Sequence, residues 1–154
     1  MTTIRSLITI IAISLVFVGC NKGLVYSHYS PVSLAGWDKD SAVVFDFAIT
    51  DTSKTYDLIL HIRHTERYSY QNMWLFVTTE PQPADTIEFY LADERGGWLG
   101  NGQGSLFDMP VFYEENKHFA DTGSYVISVQ HGMRNEQLVG ISDIGLEIVQ
   151  HGEE

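Results

Sequence analysis

The single cysteine of this 154-residue chain, Cys20, has the position that points most directly to chemistry. It follows small Gly19 and an apolar run from Leu7 to Val18, and one basic residue, Arg5, precedes the run. A secretory signal peptide consists of a charged start, a short apolar stretch and a small residue before the cleavage site. A membrane-spanning helix needs roughly 20 apolar residues, so this run of about a dozen is too short to cross a bilayer. Residues 1–19 are therefore predicted to be a signal peptide.

The residues before Cys20 resemble the lipobox of bacterial lipoproteins, although Phe17 departs from the leucine that is usual at that place. The resemblance implies that the thiol receives a diacylglycerol and that the peptide bond before it is cleaved. Two or more acyl chains hold a protein on a membrane, because each buried methylene contributes about 0.8 kcal/mol. The alternative is a buried structural cysteine, which would be expected among the apolar residues of a later strand. Cys20 is thus predicted to be the lipidation site and the contact with the membrane.

The histidines and acids form no pattern that predicts a metal site. His61 and His64 are the closest histidine pair, but three residues apart on a strand they face opposite sides. Asp38 and Asp40 fit no EF-hand loop, and the sequence has no HExxH motif. We predict neither a metal nor a cofactor.

The glycine-rich segment from Gly96 to Ser105 lacks the Lys and Ser/Thr that end a phosphate-binding loop. It is predicted to be a wide loop or a bulged hairpin, in which Trp98 is either a contact residue exposed to solvent or a buried anchor. No serine lies in a G-x-S-x-G elbow. No residue is therefore predicted to be catalytic, and the protein is not predicted to be an enzyme.

A second aromatic loop, Glu66 to Trp74, has the composition of a contact surface. Tyrosine, serine and asparagine provide stiff amphipathic contacts with adaptable hydrogen bonds. Tyr68 and Tyr70 are therefore predicted, with Trp98, to form the interaction surface. The alternative is that both tyrosines cap the end of the core and expose only their hydroxyls.

The elements that position these residues are predicted to be strands, because apolar residues recur with a period of two. The predicted strands are residues 43–49, 56–62, 73–79, 85–91, 124–130 and 143–149. The segment 73–79 is apolar on both faces and is predicted to be a central strand covered on both sides. The polar residues 50–55 are predicted to close a hairpin, and residues 109–119 to carry at most one or two helical turns. Together these features predict an all-β fold, an antiparallel β-sandwich of the immunoglobulin-like or jelly-roll-like kind with little helix.

Length and charge indicate one domain and limit its partners. Residues 20–30 are predicted to be a lipid-anchored tether, or a tether that ends in an edge strand, and residues 31–154 a single sandwich domain. Loss of Arg5 with the signal changes the net charge from −11 to −12, since eight basic side chains remain against 20 acidic ones. Nucleic acid is excluded as a partner, because phosphates are held by clustered Lys and Arg. A basic protein surface, or an anionic surface bridged by divalent cations, suits this charge better.

Three long segments, residues 36–82, 91–108 and 131–148, resemble the gliding-motility lipoprotein GldH family of the Bacteroidetes phylum. The most specific pieces are "YSYQNMWLFVTTE" and "GGWLGNGQGSLFD". The resemblance implies an envelope lipoprotein that is needed for surface gliding and associated with the type IX secretion apparatus, without enzymatic activity or cofactor. Only Cys20 carries over from the family by its role.

The residues and the resemblance together predict a lipid-anchored sandwich that works by contact, as an assembly component with envelope protein partners. The segment "NKG" after Cys20 lacks the acidic run of surface-exported lipoproteins in this phylum. This favours the periplasmic face of the outer membrane. The alternative is a carbohydrate-binding lipoprotein of a glycan-uptake system, suggested by the aromatic loops around Tyr68, Tyr70 and Trp98. A third hypothesis, a periplasmic hydrolase, rests on the compartment alone.

Overall fold

The part of the chain that the structure describes, residues 23–33 and 35–152 of a computed structural model, consists of β-strands and their connections, without a helix. The strands are β1 (Leu24–Pro31), β2 (Trp37–Asp38), β3 (Val43–Ile49), β4 (Thr55–Thr65), β5 (Asn72–Thr79), β6 (Asp85–Tyr90), β7 (Asn101–Gln103), β8 (Leu106–His118), β9 (Gly123–His131), β10 (Gln137–Leu138) and β11 (Ile141–Gln150). The all-β class is confirmed, and the six predicted strands correspond to β3, β4, β5, β6, β9 and β11. The predicted signal peptide and Cys20 lie outside the described residues.

Two antiparallel sheets form the body of the molecule, which confirms the predicted antiparallel sandwich. The five-stranded sheet has the order β1-β11-β4-β8-β7, and the four-stranded sheet has the order β3-β9-β5-β6. Strands β2 and β10 form a short separate ribbon. The order departs from the chain order, since β11 lies between β1 and β4 and β9 lies between β3 and β5.

The core lies between the two sheets and follows from the alternation of side chains along each strand. In β3, every second residue from Val43 to Ile49 is buried and the residues between them are exposed. In β4, the buried residues include Leu60, Ile62 and His64, whereas His61 lies on the outer face. The prediction that His61 and His64 face opposite sides is confirmed.

The predicted hairpin at residues 50–55 is wrong, because β3 and β4 belong to different sheets. Strand β3 pairs with β9, and β4 pairs with β8 and β11. The polar cluster marks a turn, but turn residues do not determine which strands pair. Here the chain crosses from one sheet to the other.

The predicted helical turns at residues 109–119 are also wrong, because β8 runs through this segment. The register between β4 and β8 shifts twice, between Tyr56 and Leu58 and between Leu58 and Ile59. Asn116 has a left-handed backbone, with φ of 56°. These irregularities interrupt the period of two, so the alternation that identifies a strand is not visible in the sequence.

Strand β5 is central, as predicted, but it is not covered on both sides. It lies between β9 and β6, and Met73, Leu75 and Val77 face the core. Trp74 and Phe76 point from its other face into solvent, where they are exposed by 39% and 41%. The apolar residues on the second face therefore form a surface, not a second core.

The strands run between two ends of the sandwich, which we call the anchor pole and the distal pole. The anchor pole consists of the start of β1 and the connections 50–54, 80–84, 119–122 and 151–152. The distal pole consists of the connections 32–33, 35–36, 39–42, 66–71, 91–100, 104–105, 132–136 and 139–140, with β2, β7 and β10. Strand β4 has eleven residues, so at about 3.3 Å per residue the poles lie about 33 Å apart.

The start of β1 lies at the anchor pole, four residues after the predicted lipid attachment point in the sequence. Residues 24–31 form an edge strand paired with β11, so the predicted tether 20–30 ends in an edge strand. Only residues 21–23 separate Cys20 from β1. No helix among the described residues is long and apolar enough to cross a membrane.

Candidate contact site

Tyr68 is a core residue at the distal pole and is not available as a surface contact. Its side chain is only 2% exposed, and its hydroxyl donates a hydrogen bond to the carbonyl oxygen of Asn72 at 2.8 Å. The ring lies against those of His64 and Tyr70, with centroids 6.1 and 5.7 Å away. The sequence leaves open whether Tyr68 is a surface contact or caps the core, and in the structure it caps the core.

Tyr70, the other predicted contact residue, is exposed and joins two distal loops. Its hydroxyl donates a hydrogen bond to Oδ1 of Asn135 at 2.8 Å. Beside this bond lies a cleft of about 330 Å³, which we call the Tyr70 cleft. Its lining residues are Tyr70, Asn72, Trp74, Gly132, Met133, Arg134 and Asn135. The cleft combines aromatic, amide and guanidinium groups, so it can form stacking contacts and hydrogen bonds at once.

Trp98 is half-buried, so it lies between the two alternatives that the sequence leaves open, an exposed contact residue and a buried anchor. Its ring contacts the ring of His64 at a centroid distance of 4.7 Å and that of Phe107 at 5.9 Å. These contacts anchor the glycine-rich connection to the core of the distal pole. Trp98 is therefore mainly an anchor that stays partly accessible to solvent.

An exposed aromatic surface continues from the Tyr70 cleft along the four-stranded sheet. Trp74 and Phe76 lie two residues apart on one face of β5, and Tyr90 of the neighbouring strand β6 is 58% exposed. Contiguous exposed aromatic residues on a soluble domain mark interaction sites, since aromatic rings are enriched where proteins bind. The alternation within 73–79 is the signal that could have revealed it, because it places Trp74 and Phe76 on the same face.

A polar cluster occupies the outer face of the five-stranded sheet, near a second cleft of about 360 Å³. Asp108 accepts hydrogen bonds from Arg63 Nε at 3.1 Å and from the Tyr29 hydroxyl at 3.2 Å, and its Oδ1 lies 2.9 Å from His61 Nδ1. The Arg63 guanidinium stacks 3.6 Å above the centre of the Tyr29 ring. His61 Nε2 faces Glu147 Oε2 at 3.4 Å.

The electrostatics of this cluster indicate a structural role. Burial alone would raise the pKa of Asp108, but hydrogen bonds from His61 and Arg63 outweigh burial and lower it. Burial and the nearby Asp108 carboxylate raise the pKa of Tyr29 to about 12. The Asp108 carboxylate is thus paired with the groups around it, whereas His61 Nε2 faces Glu147 without forming a hydrogen bond in the described part of the chain. Within residues 23–33 and 35–152, no group of three or more His, Cys, Asp or Glu side chains is arranged to hold a metal ion.

Two buried histidines predict that the stability of the domain depends on pH. His64 Nε2 and His131 Nδ1 have no hydrogen-bond partner in the described part of the chain, and burial lowers the pKa of both side chains. Below about pH 6.5 the two side chains therefore bind more protons in the unfolded chain than in the folded chain. The free energy of unfolding should fall as the pH drops below 6.5, by up to about 1.4 kcal/mol per pH unit for each histidine.

His64→Leu should reduce this dependence, because leucine removes the proton that only the unfolded chain binds. Urea unfolding of the wild type and the variant at pH 8, 6.5, 6 and 5.5 gives the two profiles. The free energy of unfolding of the variant, relative to that of the wild type, should rise as the pH falls. His131→Leu should show the same trend. Parallel profiles from pH 8 to 5.5 would show that His64 does not couple folding to protonation.

The structure defines a β-sandwich domain whose distal pole, with the Tyr70 cleft, lies opposite the start of its first strand. Comparison with known proteins identifies its family. The family model described as GldH lipoprotein matches residues 24–148, which is most of the chain. The chain belongs to the GldH lipoprotein family.

Two relatives cover nearly the whole chain. A gliding motility lipoprotein GldH homolog of Christiangramia forsetii is 35% identical over 145 residues, covering 87% of this chain and 88% of the relative. The gliding motility lipoprotein GldH of Flavobacterium johnsoniae is 32% identical over 154 residues, covering 93% and 94%. Among solved structures, the VP2 subviral particle of infectious bursal disease virus has a TM-score of 0.31 at 13% identity, covering 82% of this chain and 31% of that chain. This likeness is too low to carry an argument.

Proposed function

We propose that the protein is a lipid-anchored envelope component that acts by contact, as a non-catalytic assembly part of the gliding-motility and type IX secretion machinery. The observation that carries the proposal is the family match over residues 24–148, with relatives named as gliding motility lipoproteins. Cys20 is the lipidation site, and the protein is held on the periplasmic face of the outer membrane. No named residue supports catalysis.

The distal pole is the part of the domain that makes the contacts. It lies about 33 Å from the anchor pole, where the lipid would hold the chain. It carries the Tyr70 cleft, and the exposed rings of Trp74 and Phe76 continue from it. Two exposed acids lie near these rings, Glu88 opposite Trp74 on β6 and Asp40 beside Phe76. They suit a partner whose apolar contact is flanked by Lys or Arg.

Mild cross-linking followed by purification tests this proposal. The wild-type protein should recover proteins of the gliding and secretion machinery, and Tyr70→Ser/Trp74→Ser should lose at least nine-tenths of that recovery. Phe112→Ser is the matched control, because Phe112 is exposed on the other sheet. Tyr70 and Trp74 are 38% and 39% exposed and Phe112 is 58% exposed, so the melting temperature of each variant is measured alongside, and recovery is compared at a temperature at which both are folded. Recovery of the same proteins by the double variant would overturn the role of the distal pole.

A carbohydrate-binding lipoprotein of a glycan-uptake system is the second candidate. Sugars stack on exposed rings, and the Tyr70 cleft places the Trp74 ring beside the amides of Asn72 and Asn135. A glycan array separates the two functions. Specific glycan hits that disappear in Trp74→Ser, without recovery of secretion proteins, would favour carbohydrate binding over assembly.

A further inference from the structure

We propose that the anchor pole rests on the lipid headgroups, with Leu24 and Val25 in the interfacial layer of the bilayer. The domain then stands with its strands upright and its distal pole pointing away from the membrane. This inference rests on the proposed lipidation of Cys20 and adds a second, non-covalent contact with the same membrane.

The length of chain between lipid and strand is the first argument. Four Cα-to-Cα steps separate Cys20 from Leu24, and each spans at most about 3.6 Å, so the two residues lie within about 14 Å of each other. The polar layer of each leaflet is about 5 to 8 Å thick. A lipidated Cys20 sits in that layer, so the start of β1 cannot lie far above it.

The residues at the start of β1 are the second argument. Leu24 and Val25 are large apolar residues exposed by 38% and 37%, at the end of an edge strand. The register of β1 against β11 shifts between Leu24 and Tyr26, so Val25 has no paired residue opposite it. A bulge bends the strand and changes the direction of its side chains, and here both Leu24 and Val25 are exposed. Two neighbouring apolar side chains are thus presented where the headgroups would lie.

A lysine beside this apolar pair is the third argument. Lys54 Nζ donates a hydrogen bond to Gln150 Oε1 at 2.6 Å, and the backbone N–H of Gln150 donates to the carbonyl oxygen of Gly23 at 2.8 Å. The ammonium group is therefore held next to the start of β1, within reach of a lipid phosphate. The exposed acids Glu80 and Asp121 at the same pole oppose contact with anionic lipids. Zwitterionic lipid is the surface that this pole fits.

Site-directed fluorescence on the lipidated chain tests the contact. Acylation of Cys20 blocks the only native thiol, so one introduced cysteine can be labelled selectively. The label is placed by Val25→Cys or Ser53→Cys at the anchor pole, or by Tyr70→Cys at the distal pole. The protein is reconstituted in phosphatidylcholine vesicles that contain a headgroup spin-labelled phosphatidylcholine as quencher. Quenching at residues 25 and 53 should exceed quenching at residue 70 at least fivefold.

A second variant separates apolar contact from mere proximity. Leu24→Ser/Val25→Ser should reduce quenching of the label at residue 53 at least threefold, whereas Val44→Ser, an equally conservative change at an exposed sheet position, should leave it unchanged. Equal quenching at residues 25 and 70, or no effect of the double serine variant, would overturn the inference. Incorporation of a fatty-acid label is read on the same samples. If the fatty acid is incorporated but the expected quenching pattern is not observed, only this inference is overturned. If the fatty acid is not incorporated, the proposed lipid anchoring is overturned as well.

Discussion

Gly140→Ala is expected to destabilise the domain by about 3 kcal/mol or more, because the substitution places a carbon atom inside the backbone of a neighbouring loop. Gly140 has φ of +96°, and a Cβ there would lie 2.2 Å from the backbone nitrogen of Tyr68 and 2.6 Å from its Cα. The loop cannot easily move away. The carbonyl oxygen of Gly140 accepts a hydrogen bond from the Thr65 N–H at 2.8 Å, and Tyr68 itself is buried.

Gly104→Ala is the matched control for the contribution of backbone conformation. Gly104 also has a left-handed backbone, with φ of +66°, but a Cβ there would meet nothing within 4 Å. Its substitution should cost only about 1 kcal/mol. Urea unfolding of the wild type and both variants measures the difference. Equal losses would mean that φ alone, and not the close approach to Tyr68, makes glycine necessary at position 140.

The packing of Gly140 against Tyr68 links stability to the contact site. The Tyr68 hydroxyl bonds to the Asn72 carbonyl where β5 begins, and Asn72 and Tyr70 both line the Tyr70 cleft. Gly140→Ala would therefore disturb the cleft by displacing Tyr68, although Gly140 is not one of the lining residues. For this reason the contact experiment uses Tyr70 and Trp74, whose side chains are exposed, and leaves Tyr68 unchanged.

Strands in which apolar and polar residues alternate can be predicted from the sequence. Strands whose conformation depends on contacts with other parts of the chain cannot. Val43 to Ile49 alternate apolar and polar residues because one face is buried, and this strand is found as predicted. Strand β8 escapes prediction, because the register shifts opposite Leu58 and the left-handed Asn116 break its period. The strand order is also beyond the sequence, since pairing of β11 with β1 and β4 depends on contacts between distant parts of the chain.

The candidate contact site was likewise predictable only in part from the sequence. Composition identified the loop that contains Tyr68 and Tyr70, but not which ring is buried, because that depends on how the loop packs against Gly140 and His64. The sequence places Trp74 on a covered face, because its strand is apolar on both sides. Only the exposure of Trp74 and Phe76 in the folded domain shows that this face meets solvent.

Cys20→Ala is expected to abolish fatty-acid labelling completely, which is the largest effect predicted for a single substitution outside the core. Only the thiol can accept the diacylglycerol, and the bond after Gly19 is cleaved only once the lipid is attached, as the lipobox resemblance implies. The wild type should therefore lack residues 1–19 and carry the label. The variant should keep those residues and carry none. Intact-mass measurement and a fatty-acid probe read the two outcomes separately.

Membrane attachment itself requires a second variant, because an uncleaved apolar run from Leu7 to Val18 would also hold the chain on the membrane. Replacing residues 1–19 by a conventionally cleaved signal, together with Cys20→Ser, removes both the run and the lipid. One acyl chain binds a bilayer only marginally and two or more bind it stably, so the wild type should partition into detergent and this variant into water. Leu24 and Val25 alone cannot replace the acyl chains, since only about a third of each side chain is available for contact. A wild-type protein with an unmodified thiol, or one that keeps its first nineteen residues, would contradict lipid anchoring and with it the upright placement of the domain.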